Sequence, residues 1–148
     1  MINGGATIKS SEAIIEVRNL RNAFGDQLVH SGLDMQIDRG EIVGIIGDSG
    51  CGKTTLLRCI LMLKQPDAGD IKVLGHDILK APESVKAEIR RHWGVMFQSG
   101  ALFSSLDVLD NIIFPINEMS ALSDESEEEI ALLKLAMVGL DQDVLHKF

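Results

Sequence analysis

The chain has 148 residues, 45% apolar and 24% charged, ordinary proportions for a single soluble globular domain with a real core. Lys and Arg number 14 against 22 Asp and Glu, and the resulting net charge of −8 argues against a nucleic-acid partner. No apolar run approaches the length of a bilayer span, and the start lacks a basic stretch followed by an apolar core, so a cytoplasmic chain without a secretory signal is expected.

Residues 1–13 read as a tail. Residues 14–37 follow, with alternating segments (Ile14-Ile15-Glu16-Val17 and Leu33-Asp34-Met35-Gln36-Ile37) that predict a small antiparallel sheet. Glu41-Ile42-Val43-Gly44-Ile45-Ile46 is a short apolar run bounded by Gly40 and Gly47. It has the pattern of a strand buried on both faces of a parallel sheet.

Directly after it stands Gly47-Asp48-Ser49-Gly50-Cys51-Gly52-Lys53-Thr54-Thr55, which satisfies G-x-x-x-x-G-K-[ST] at Gly47, Gly52, Lys53 and Thr54. The spacing has a chemical reason. Glycines let the backbone curl so that successive N–H groups point inward at a phosphate. Lys53 reaches the β- and γ-phosphates as a point charge, and the Thr54 hydroxyl is placed to bind a bridging Mg²⁺. A helix over residues 53–63, with Leu56, Leu57, Ile60, Leu61 and Leu63 as its apolar stripe, adds its partial positive charge at the same place. Strand, phosphate loop and helix in that order make nucleotide binding the expected chemistry. Cys51 and Cys59 have no metal-type spacing and fit reduced thiols.

Residues 69–79 predict a further strand that turns at Gly75-His76, and residues 84–92 a basic helix. Gly94-Val95-Met96-Phe97 is a second candidate buried strand. From Leu106 the pattern turns helical. Ser123 or Asp124 is a candidate N-cap, with Glu127 able to close a capping box on Asp124 and Gly139 a natural stop. The acidic run of residues 124–129 reads as a solvated first turn that favours the helix dipole rather than as a docking site. Trp93 and the histidines His30, His76, His92 and His146 match no ligand pattern and read as core or surface residues.

The early Phe24-Gly25 pair, the extended loop and a segment ending Met96-Phe97-Gln98 together resemble the nucleotide-binding domain of ABC transporters. Residues 97–106 (Phe-Gln-Ser-Gly-Ala-Leu-Phe-Ser-Ser-Leu) and 110–115 (Asp-Asn-Ile-Ile-Phe-Pro) are more specific. They resemble the ATPases of the MCE-associated, Mla-type phospholipid transporters.

The resemblance implies an α/β P-loop NTPase core, incomplete, with an N-terminal antiparallel β subdomain and the start of a helical subdomain. Its boundaries are expected at 14–103 for the β subdomain and core and at 104–148 for the helical start. It implies ATP and Mg²⁺ as cofactors, held by residues 47–55, with Asp48 bringing a carboxylate to a position that the family keeps small or fills with Pro. It assigns Phe24 to stacking on adenine; an ordinary strand-end core Phe is the other reading of that residue. It assigns Gln98 to Mg²⁺ and to contact with a membrane subunit, and it gives Lys53 and Gln98 the catalytic roles among residues present.

As partners it implies a membrane permease subunit, a second ATPase subunit as a homodimer, and a small regulatory subunit, at the inner face of a bacterial inner membrane. The family's Leu-Ser-Gly-Gly signature, Asp-Glu strand end and switch histidine do not occur in these residues. Weak ATP binding and almost no hydrolysis are therefore expected of the chain alone. Unpartnered strand edges predict self-association or disorder, chiefly past Leu106. Two other readings remain: a different P-loop kinase or GTPase, weakened by the absence of Asn-Lys-x-Asp and Asp-x-x-Gly, and a non-catalytic nucleotide-binding or interaction module.

Overall fold

The computed structural model describes residues 12–25, 27–118 and 123–147. It divides into two compact units, residues 1–94 and 95–148, and each is taken by itself.

The first unit is built on a four-stranded antiparallel sheet. Strands β1 (Ala13–Phe24) and β2 (Gln27–Asp38) form the predicted hairpin, and β3 (Ala68–Val73) and β4 (His76–Asp77) extend it in the order β2-β1-β3-β4. The sheet covers helix α1 (Lys53–Ile60) and helix α2 (Glu83–Arg90), the latter opening at Pro82 and tied by an Arg90–Glu83 ion pair of 2.6 Å. Val17, Leu20, Ile71 and Val73 from the sheet, with Leu56, Cys59, Ile60, Ile78 and Ile89, make the core.

One irregularity decides what faces that core. The β1–β2 register shifts between Val17 and Leu20, where Asn19 has φ 47° and its N–H donates to the Asp34 carboxylate at 2.7 Å. An extra residue in a strand resets its alternation. Val17 and Leu20, three apart, are therefore both fully buried, and so is Asn22 two residues further on. Gly69 of β3 fits against this bulge at φ 101°, and a Cβ there would stand 2.7 Å from the Asn19 carbonyl oxygen. Only a glycine fits that approach.

The second unit contains α3 (Val108–Asn117) and α4 (Asp124–Met137), followed by a 3₁₀ turn at Gln142–Val144. Ile113, Ala131, Leu135 and Leu145 form its core. Asp107 caps α3 by accepting from the Asp110 N–H at 2.8 Å. The Asn111 amide knits the preceding loop to the helix, bonding Phe103 N and O and the Leu106 and Asp107 carbonyls within 3.1 Å. Ser123 is the N-cap of α4, accepting from the Ser126 N–H. The expected box between Glu127 and Asp124 does not form, because Glu127 lies one residue too far along and accepts from Asn117 Nδ2 at 2.8 Å instead.

Two predicted strands are absent. Residues 41–46 and 94–97 have no strand pairing among the described residues. A parallel strand exists only through its neighbours. The apolar pattern alone leaves Ile42 100%, Ile46 95% and Met96 95% exposed. Both segments are irregular, whereas the described residues past Leu106 are largely helical.

Such exposure predicts association of the isolated chain, since contiguous apolar surface and unpaired backbone recruit further copies. Light scattering at micromolar concentration is expected to show oligomers, and the double substitution Ile42→Lys with Ile46→Lys to reduce them at little cost in stability. A monodisperse monomer for the unsubstituted chain would contradict this.

Candidate functional site: a phosphate loop on helix α1

The phosphate loop closes on its own lysine. Lys53 Nζ donates to the Gly47 carbonyl at 2.7 Å and to the Asp48 carbonyl at 2.8 Å, and it lies 3.7 Å from Cys51 Sγ. The Cys51 N–H donates back to the Asp48 carbonyl at 3.3 Å. An ammonium held by neutral carbonyls and a thiol sulfur exchanges them readily for anionic oxygens, since hydrogen bonds between two ionised groups are the stronger kind.

Helix α1 begins at this point. Its N-cap is Gly52, at φ 103°, with no side-chain cap and no acidic residue in the first turn. The first amide to find an intrahelical acceptor is Leu56, which donates to Gly52 O at 2.9 Å. The N–H groups of Lys53, Thr54 and Thr55 remain as uncapped donors at the positive end of the helix dipole. Thr54 is exposed, and its hydroxyl has no hydrogen-bond partner among the described residues. Ser49 and Gly50 lie on the exposed outer turn, with Gly50 at φ 83°. This donor set fits a triphosphate: an ammonium held only by loop atoms, an uncapped helix start and an exposed hydroxyl for a hard divalent cation. Thr54 would be the protein ligand of a Mg²⁺ ion, which would supply charge neutralisation to the phosphates.

The base of the loop rests on the hairpin. A Cβ on Gly52 would stand 2.5 Å from His30 Nε2 and would also strike Val29 Cγ1. His30 and Asn22 are cross-strand partners, both buried, with Asn22 Nδ2 and His30 Nδ1 3.2 Å apart. Asn22 Nδ2 also donates to Cys59 Sγ at 3.6 Å, and the Cys59 thiol donates to Asn22 Oδ1 at 3.7 Å. Burial lowers the His30 pKa below 6.5, while hydrogen bonding to the Gly52 backbone acts in the opposite direction. A depressed histidine pKa means that the fold favours the neutral ring. The stability it contributes is present above pH 6.5 and is lost as pH falls through the folded value. Burial likewise pushes the Cys59 thiol up and keeps it protonated.

The sequence reading treated His30 as core or surface and did not weigh Asn22. The signal for both lay in two polar residues at inward positions of the hairpin, but it becomes readable only once the bulge is placed. Gln98 sits in the second unit, exposed, on a turn closed by the Gly100 N–H to the Phe97 carbonyl at 3.2 Å. Phe24 ends β1 opposite Gln27, and its side chain lies outside the described residues. Both cysteines are free thiols, Cys51 exposed and Cys59 buried. None of the described helices is long and apolar enough to cross a membrane.

A family model described as "ABC transporter" matches residues 30–148. The chain belongs to the ABC transporter family. Among curated relatives of this ABC chain, the intermembrane phospholipid transport system ATP-binding protein MlaF of Haemophilus influenzae is 40% identical over 130 residues, 88% of this chain and 49% of the relative. The probable ribonucleotide transport ATP-binding protein mkl of Mycobacterium tuberculosis is 36% identical over 129 residues, 87% of this chain and 36% of that protein. The methionine import ATP-binding protein MetN of Brucella abortus is 36% identical over 137 residues, 93% and 37% of the two chains.

The ABC chain therefore spans about half or less of the length of these relatives. Among solved structures, the dimeric ATP-binding cassette MJ0796 is similar at TM-score 0.79 and 27% identity, covering 89% of this chain and 60% of that one. CbiO1 from Clostridium perfringens is similar at TM-score 0.73 and 25% identity, over 92% and 54%. The fold is thus an incomplete P-loop NTPase core of the ABC type with an antiparallel β subdomain.

Proposed function

We propose that this chain is the ATP-binding part of an ABC transporter subunit of the phospholipid-transport type, in which binding of Mg-ATP at residues 47–55 drives a membrane permease. The observation that carries the nucleotide reading is the Lys53 ammonium held by two loop carbonyls at the uncapped start of α1. The lipid reading rests on the MlaF likeness and on residues 97–115, against nearly equal likeness to proteins named for ribonucleotide and methionine transport.

In this reading Gln98 serves the metal and the permease contact, and Phe24 stacks on the adenine. A second copy completes the dimer, with a small regulatory subunit as a further partner, at the inner face of the membrane. Phosphoryl transfer to water also needs a group that orients the water and charge stabilisation from a facing subunit. The described loop supplies neither.

The expected result is therefore saturable Mg-ATP binding by the isolated chain with phosphate release close to the buffer rate. Release at the rate of an intact transporter ATPase, lost in Lys53→Ala, would overturn the expectation about turnover. A transporter carrying this sequence in proteoliposomes tests the finer reading. Stimulation of turnover by a phospholipid-loaded partner supports it, and stimulation by methionine or ribonucleotides contradicts it.

A further inference from the structure

We infer that His30 is a positioning residue for the phosphate loop, anchoring it at Gly52 through a buried relay that runs from Cys59 through Asn22 to the imidazole. Four observations carry it. Asn22 and His30 are direct cross-strand partners on β1 and β2, both buried, and they lie beyond two register shifts, one at Val17–Leu20 on β1 and one at Leu20–Arg21 that skips a residue on β2. The Asn22 amide nitrogen faces His30 Nδ1 at 3.2 Å and Cys59 Sγ at 3.6 Å, while Asn22 Oδ1 accepts a hydrogen bond from the Cys59 thiol at 3.7 Å. A Cβ on Gly52 would stand 2.5 Å from His30 Nε2, which puts the ring against the residue whose carbonyl receives the first helical hydrogen bond of α1. Finally, no buried side-chain nitrogen or oxygen among the described residues lacks a partner, which holds for the Asn22 amide between His30 and Cys59.

The relay fixes a tautomer. Because the Asn22 amide nitrogen donates, Nδ1 accepts, and the ring proton resides on Nε2, the nitrogen turned towards Gly52. The imidazole thus presents a donor to the backbone at the point where loop becomes helix. Asn22 from β1 bonds it, the Gly52 backbone and the Val29 side chain lie beside it, and no charged group acts on its titration. An apolar residue in the same space would pack but would leave Asn22 with half its partners and Gly52 with none from the hairpin. Buried polar chains of this kind specify one arrangement when complete.

The test compares His30→Leu, which keeps the apolar volume, with His30→Gln, whose amide places a donor near the position of Nε2. The readout is amide hydrogen exchange over residues 52–56 without nucleotide, followed by Mg-ATP affinity. His30→Leu is expected to speed exchange at Leu56 by about tenfold or more and to weaken Mg-ATP by a similar factor, with His30→Gln within about threefold of the unsubstituted chain on both counts. Asn22→Leu, which removes the partner of Nδ1 without touching Gly52, is expected to behave as His30→Leu does and serves where that variant does not fold. Exchange unchanged in His30→Leu, or equally fast in both His30 variants, overturns the assignment. The inference borrows the nucleotide reading only for its last readout. A chain that fails to bind Mg-ATP while showing the exchange pattern sinks that reading and leaves this one standing.

Discussion

Lys53→Ala is expected to weaken Mg-ATP binding by about a hundredfold while moving the melting temperature of the nucleotide-free chain by only a few degrees. The side chain makes three hydrogen bonds within its own loop, to two carbonyls at 2.7 and 2.8 Å and to Cys51 Sγ at 3.7 Å. All are exposed to solvent, so their loss leaves no buried acceptor stranded and costs the fold little. With phosphate in the loop the same ammonium becomes the only side-chain cation of the motif. Hydrogen bonds to charged groups contribute about 1.5–3 kcal/mol each, and about 1.4 kcal/mol is a factor of ten in affinity. Two such contacts account for the expected loss. Equal Mg-ATP affinity in the two proteins, read by calorimetric titration, would mean that the nucleotide sits elsewhere.

Gly52→Ala is expected to damage both stability and binding. The backbone there has φ 103°, which an L side chain rarely adopts, and the added methyl would meet His30 Nε2 at 2.5 Å as well as Val29 Cγ1. Strained backbone of this kind costs about 1–3 kcal/mol, and overpacking adds about as much again. A loss of about 3 kcal/mol in urea unfolding is the expected outcome, together with Mg-ATP affinity at or below that of Lys53→Ala. The methyl pushes against the contact through which His30 holds the loop, so the two substitutions report on different halves of one device. Lys53 supplies charge, and Gly52 supplies shape. A Gly52→Ala protein with unaltered unfolding and binding would show that the loop has room that the structure denies it.

Much of this was legible in the chain because it is local. The motif at residues 47–55 fixes its own turn chemistry, and the helix that follows needs only its Leu56–Ile60 stripe. The hairpin announced itself by alternation at Ile14–Val17 and Leu33–Ile37, and Gly75 marked the next turn.

What failed was non-local. Residues 41–46 and 94–97 have a strand's composition, but a strand is a relation between segments, and nothing in Ile42 or Met96 says whether a neighbour is at hand. The bulge at Asn19 was likewise invisible, since two polar residues between Val17 and Leu20 look like ordinary outward positions. Without the bulge Asn22 has no reason to face inward, and the His30 relay stays hidden. The cap of α4 shows the same limit on a smaller scale. Ser123 and Asp124 were both plausible, and only the position of the first turn made it Ser123 and freed Glu127 for Asn117.

The central claim is that the loop at residues 47–55 is a Mg-ATP site, and backbone amide NMR during a Mg-ATP titration tests it most directly. The account predicts saturable shifts concentrated at Gly50, Gly52, Lys53 and Thr54, with little change on β3 and β4, and their disappearance in Lys53→Ala. Saturable shifts that leave those amides untouched, or no saturable shifts at millimolar Mg-ATP, would contradict it.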